Sequence, residues 1–192
     1  MKSESSSYER QRVGQAHLPR LAPEFYRGDA FVFWTLNIKD RKTGWLTPAW
    51  YHAWQLTLVH MCARYELACP CFVLMPDHAH LLLFGINPLE SDQRVAIEFF
   101  RKQLSPGLAP AEWQHQTHDR VLRAPARERG AVQSSAHYIF ENPVRAGLVP
   151  KWEDYSYTGC CIVGYPEFNI RADDYWERFW RCYQYVVSKV AG

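Results

Sequence analysis

At 192 residues the chain fits one domain with short appendages, and a composition that is 47% hydrophobic and 15% aromatic is enough for a sizeable core. No run approaches the roughly 18 apolar residues of a membrane span, and the N-terminus, MKSESSSYERQRVGQ, lacks the apolar stretch of a secretory signal, so a cytoplasmic protein with no membrane partner is expected. The net charge of +2 argues only weakly for a nucleic-acid partner, but residues 94–151 hold nine basic and five acidic side chains, leaving the rest of the chain negative.

Residues 1–22 are polar and carry a serine run, which predicts a flexible arm. The aromatic and β-branched stretch AFVFWTLNI, 30–38, predicts a strand ended by the charged turn KDRKTG. Thr47 then stands as an N-cap before Pro48 at the first helical position, and apolar residues at helical spacing carry the helix toward residue 67. CPCFVLM and HAHLLLFG read as two strands joined by turn chemistry at Pro76-Asp77. ESDQRVAIEFFRKQL predicts a second amphipathic helix, stopped by Ser105-Pro106-Gly107, and EWQHQTHDRVLR an extended segment or hairpin. ERGAVQSSAHYIFENP predicts a third helix, ended by Pro143.

This order of elements predicts an α+β domain: a ferredoxin-like antiparallel sheet with helices packed on one face, over about residues 23–160. Residues 161–192 form a C-terminal helical extension, in which Trp176, Phe179, Trp180, Tyr183 and Val187 make one stripe that suits packing on the domain better than stacking on bases. The six cysteines contain no CxxC pair, and the adjacent Cys160 and Cys161 make a poor disulfide framework. Reduced, mostly buried thiols are expected.

Two short stretches carry chemistry. In MPDHAHLLLF, alternation puts His78 and His80 on one face of a strand, roughly 7 Å apart at Cα, where they could share an ion or form a hydrogen-bonded core pair. In YIFENPVRAGLV, Tyr138 and Asn142 stand four apart, so a phenol and an amide project from one helix face. A tyrosine half in the core beside a plain helix stop would explain the same residues.

Taken together, the two stretches resemble the paired signatures of single-tyrosine HUH transposases, in particular the REP-associated tyrosine transposases of bacterial chromosomes. HUH denotes His, a hydrophobic residue and His, here His78, Ala79 and His80; RVLR at 120–123 and WEDYSYTG at 152–159 are similar to neighbourhoods of that family. The resemblance spans about residues 25–160. It implies that His78, His80 and Asn142 hold a divalent ion, Mg²⁺ or Mn²⁺, that Tyr138 is the nucleophile, and that Arg120, Arg123 and Arg145 contact single-stranded or hairpin DNA. Asp77 stands where asparagine is commoner in that family. The implied activity is cleavage and joining of single-stranded DNA through a 5′-phosphotyrosine, at REP-like hairpins. A hairpin-binding protein without turnover, and a metal-dependent hydrolase using His78, His80, His115 and His118, stay open as alternatives, as does a monomer or a homodimer.

Overall fold

Three apolar segments pair at the centre of the protein because each alternates side chains that two opposite layers can bury. The structure, a computed structural model, describes residues 21–122 and 129–190. Nearly all of the expected N-terminal arm, and Arg123, lie outside the described residues. Strands β1 (Phe31–Asn37), β2 (Leu67–Met75), β3 (His78–Gly85), β4 (His118–Leu122) and β5 (Thr158–Cys161) form one antiparallel sheet in the order β4-β1-β3-β2-β5. Among the described residues five α-helices accompany it: α1 (Pro48–Arg64), α2 (Gln93–Leu108), α3 (Arg129–Phe140), the single turn α4 (Asn142–Arg145) and α5 (Tyr175–Val190).

Local signals start the two long early helices. The Thr47 hydroxyl accepts from the Trp50 amide at 3.2 Å, ahead of Pro48 in the first turn of α1. Asp92 caps α2 by accepting from the amides of Arg94 and Val95. The second helix does not stop at Ser105-Pro106-Gly107 as expected; it runs through all three to Leu108. Leu104 and Leu108 are both buried one turn apart, so the apolar stripe continues past the proline. Pro106 removes only the bond to the carbonyl of Lys102, an exposed residue, and the Ser105 hydroxyl donates to Arg101 O at 2.7 Å. Packing outweighs the local breaker.

Helices α1 and α2 lie together on one face, where Trp54, Leu58, Ile97 and Phe100 meet Val32, Trp34, Leu36 and Leu81. That is the expected one-sided cover, but it is incomplete. The opposite face carries α3 and α5: Val132, Ala136, Ile139 and Phe140 of α3, with Phe179, Trp180 and Tyr183 of α5, pack on Phe31, Val73, Leu82 and Phe84. The aromatic stripe of α5 is thus a core face, and it is tied down at the first residue of the helix and at its midpoint. Tyr183 donates to Gly85 O at 2.7 Å, and Tyr175 donates to Pro70 O inside β2, where the register shifts between Ala68 and Cys71. A proline cannot donate to a ladder, which places the irregularity at that point.

Three further differences from the sequence expectations follow from short range. Among the described residues of the extended 112–123 segment only β4 is a strand, with Trp113 making an isolated bridge to Ile38. Strand β5 has four residues, too few to show an alternation in sequence. Pro143 does not end helical structure: α3 ends at Phe140 and Pro143 sits in the first turn of α4, where a missing N–H costs nothing. Among the described residues no helix is long and apolar enough to cross a membrane, and all six cysteines, from Cys62 to Cys182, are buried or half-buried free thiols.

Because α5 fills the second face, Phe179→Ala should lower unfolding free energy by about 3–5 kcal/mol, as expected for a buried aromatic. Tyr185→Ala, on the exposed side of the same helix, should cost under about 0.5 kcal/mol. Urea denaturation followed by tryptophan fluorescence measures both; similar losses for the two would mean that α5 is not part of the core.

Candidate functional site

Strand β3 is paired on both sides, and its alternation decides which layer each side chain meets. Leu81 and Leu83 face α1 and α2, while Leu82 and Phe84 face α3 and α5. His78 and His80 share the parity of Leu82, so both imidazoles lie on the α3 side. His80 is opposite Thr35 on β1 and Val73 on β2; His78 is opposite Asn37 and Met75.

The two rings converge. His78 Nε2 and His80 Nε2 are 3.1 Å apart, with ring planes at 77°. Each ring is held from its other nitrogen: Asp77 Oδ1 lies 2.6 Å from His78 Nδ1, and Thr35 Oγ1 2.9 Å from His80 Nδ1. Burial, with the charges of His78 and Arg41 beside it, pushes the His80 imidazole down to about 3, so it is neutral at any working pH. For Asp77, burial works to raise the carboxyl; the hydrogen bond from His78 and the charges of His78 and Arg41 outweigh it and leave the group below the ordinary carboxylate range.

Tyr138 comes to this pair from α3. The face of α3 carrying Val132, Ala136, Ile139 and Phe140 is buried, and Tyr138 stands beside it, 47% exposed. Its ring centre is 6.2 Å from that of His80 and 6.1 Å from that of Phe33, and the Arg145 guanidinium lies over it at 4.7 Å. Tyr155 offers no rival in a free hydroxyl, since it is buried and donates to Leu74 O at 2.8 Å; burial pushes its phenol up to about 12.

Asn142 is engaged differently from a simple ligand. Its Nδ2 donates to Tyr138 O at 2.7 Å and to Ile139 O at 3.3 Å, closing carbonyls that the end of α3 would otherwise leave open. Only its oxygen is left for another partner. Arg120 is on the same sheet face as Phe33, opposite it in the register, and donates to Ser135 on α3 at 3.3 Å. With Thr35, His118 and Tyr138 it lines a groove of about 670 Å³ between β4 and α3. A larger cavity of about 1300 Å³ lies on the α2 side of the sheet and includes His115, Arg94 and Arg101. The basic residues of 94–151 therefore do not form one face: Arg120 and Arg145 flank Tyr138, while Arg101 is directed at the carbonyls of Gln114 and His115.

The donor set fits a divalent cation. Two cis ligands at roughly 2.1 Å from an octahedral ion stand roughly 3 Å apart, close to the separation of the two Nε2 atoms. Among the described residues no group of three His, Cys, Asp or Glu could hold a metal, so an ion on His78 and His80 would complete its shell with amide, water or substrate oxygens. The four-histidine hydrolase site is not assembled, because His115 faces the α2 cavity. The residues missed from sequence are Thr35 and Arg41: the first follows only from strand register, and the second from a turn that folds back on Asp77. Asp77 itself, adjacent to His78, was visible as a departure without a role.

No protein-family model matches the chain. A curated protein of Haemophilus influenzae, assigned provisionally as a REP-associated tyrosine transposase, is 22% identical over 151 residues, covering 70% of this chain and 81% of that protein. Among solved structures, the REP-associated tyrosine transposase bound to a REP hairpin superposes with a TM-score of 0.62 at 20% identity, covering 74% of this chain and 81% of that one. In sequence over most of its length, and in fold, this chain is similar to the REP-associated tyrosine transposases.

Proposed function

We propose that the protein is a metal-dependent single-stranded DNA endonuclease and strand transferase that cleaves through a 5′-phosphotyrosine, at hairpin sequences of the REP kind. The observation that carries this reading is the convergence of Tyr138 on the His78 and His80 pair, on one face of the sheet, with two arginines alongside. The likeness to REP-associated tyrosine transposases, one of them bound to a REP hairpin, supports the substrate class.

Tyr138 Oη would attack the scissile phosphorus while the bond from phosphorus to the 3′ oxygen breaks. The phenol proton passes to water or a base, and the leaving 3′ oxygen takes up a proton to become a 3′-OH. One phosphodiester is exchanged for another, so reversal onto a different 3′-OH rejoins DNA without a nucleotide cofactor. A Mg²⁺ or Mn²⁺ ion on His78, His80 and the Asn142 oxygen would supply positive charge to the phosphate oxygens. Arg145, stacked on the Tyr138 ring, keeps a guanidinium beside the phenol where charge develops, and Arg120 lines the groove that an unpaired strand can enter.

Mixing the protein with one hairpin-flanked strand labelled at its 5′ end and a second copy labelled at its 3′ end should leave label on the protein only from the fragment downstream of the cut. Peptide mapping should place the adduct on Tyr138, and Tyr138→Phe should form none while keeping the wild-type unfolding midpoint. An adduct on Tyr138→Phe would overturn the nucleophile assignment; binding of the hairpin with no adduct from the wild type would favour a binding protein without turnover.

His78→Ala and His80→Ala should each slow cleavage about a hundredfold or more, the value of several kcal/mol of charge stabilisation, with hairpin affinity within a few fold of wild type. Wild type in excess EDTA should behave likewise. Cleavage at the wild-type rate in any of these would remove the metal from the proposal.

A fully paired duplex of the same sequence should be cut much more slowly than the unpaired strand, because bases in a duplex cannot be splayed into the groove beside Tyr138. Gel assays on matched substrates measure this, and equal rates would contradict it.

A further inference from the structure

We propose that Asp77 is a positioning residue: clamped by Arg41, its carboxylate fixes the His78 imidazole with Nδ1 protonated and Nε2 bare, aimed with His80 at a divalent cation. This rests on the cation site proposed above for the same two histidines.

With the Asp77 carboxylate ionised, the hydrogen-bond network puts a proton on His78 Nδ1. Asp77 Oδ2 accepts from Arg41 Nη1 at 3.0 Å, and Oδ1 meets His78 Nδ1 at 2.6 Å. Arg41 Nη1 also stands 3.5 Å from His78 Nδ1. A guanidinium only donates and an ionised carboxylate only accepts, so the proton in the 2.6 Å contact belongs to His78 Nδ1. In a neutral imidazole the other nitrogen then has a lone pair. Carboxylates in this position on metal-ligating histidines fix the tautomer and ring orientation and raise ligand basicity.

The turn that carries Arg41 is built at a conformational cost. Asp40 and Arg41 have φ of 57° and 54°, two successive non-glycine residues in the left-handed region. The turn is anchored as Ile38 N donates to Asp77 O at 3.0 Å and Lys39 N donates to Glu112 O at 2.8 Å. Its result is that Arg41 folds back over the strand connection onto Asp77.

His80 is held in a different way. Thr35 Oγ1, at 2.9 Å from His80 Nδ1, can donate or accept. With no cation between the rings, His80 Nε2–H can donate to the bare His78 Nε2 across 3.1 Å while Thr35 donates to His80 Nδ1. Moving that proton to Nδ1 and turning the Thr35 hydroxyl leaves both Nε2 atoms bare. Asp77 therefore locks one ligand, and Thr35 lets the other follow.

Asparagine at position 77 keeps the size but removes the charge and presents one donor group to a network of donors. In the full-length Asp77→Asn variant, Mn²⁺ affinity should fall about 10–100-fold, measured by the electron paramagnetic resonance of free Mn²⁺, while the unfolding midpoint in EDTA stays at the wild-type value. Long-range ¹⁵N spectra of the metal-free protein should show His78 protonated at Nδ1 in wild type and mainly at Nε2 in the variant. Affinity within twofold of wild type, or a wild-type His78 already protonated at Nε2, would overturn the assignment. If wild type itself binds no Mn²⁺, the cation site fails, and the ¹⁵N spectra still decide whether Asp77 sets the His78 tautomer.

Discussion

Strand β3 is hydrogen-bonded along both sides, and that double pairing fixes everything placed on it. A slip of one residue would turn His78 and His80 toward α1 and α2 and expose Leu81 and Leu83 to the other layer. Pairing to β1 sets Thr35 against His80, and the short turn from β2 sets Asp77 against His78. The same register aligns Phe33 with Arg120, so the rings beside Tyr138 and the guanidinium in the groove are consequences of one alignment. The helices then cover the two faces, α1 and α2 one, α3 and α5 the other, and Tyr138 reaches the histidines because the buried stripe of α3 sits on the same face as they do.

Much of this was legible in the sequence where a local rule was strong. Thr47 with Pro48 marked the start of α1, and alternation in HAHLLLF put the two histidines on one face. Other features needed the tertiary structure. The continuation of α2 through Pro106 depends on burial of Leu104 and Leu108, which no breaker rule weighs. The second helical layer is invisible to a periodicity argument, since an apolar stripe on α3 or α5 does not say which side of a sheet it meets. At the candidate site, spacing predicted that Tyr138 and Asn142 share a helix face, but not that the Asn142 amide would turn back onto the carbonyls of its own helix. Thr35 lies far from His80 in sequence and meets it only through strand pairing.

The chemistry of the site follows from what each group cannot do. Burial holds the His80 imidazole far below its ordinary range, so it resists taking up charge, and Asp77 is already engaged by both His78 and Arg41. Tyr155 cannot serve as a nucleophile without giving up its bond to Leu74 O. These constraints leave Tyr138 as the tyrosine that is both exposed and next to the histidine pair.

The ring of Tyr138 is half open to solvent, yet it is bounded by Phe33, His80 and Arg145. The consequence is entropic. Ordering a free side chain at an interface costs about 0.5–1.5 kcal/mol when the partner arrives. Here folding has already restricted the rotamers of the phenol, so a strand bound as proposed above would meet a group whose direction is set before contact, and the free energy of binding would not be diverted into arranging it.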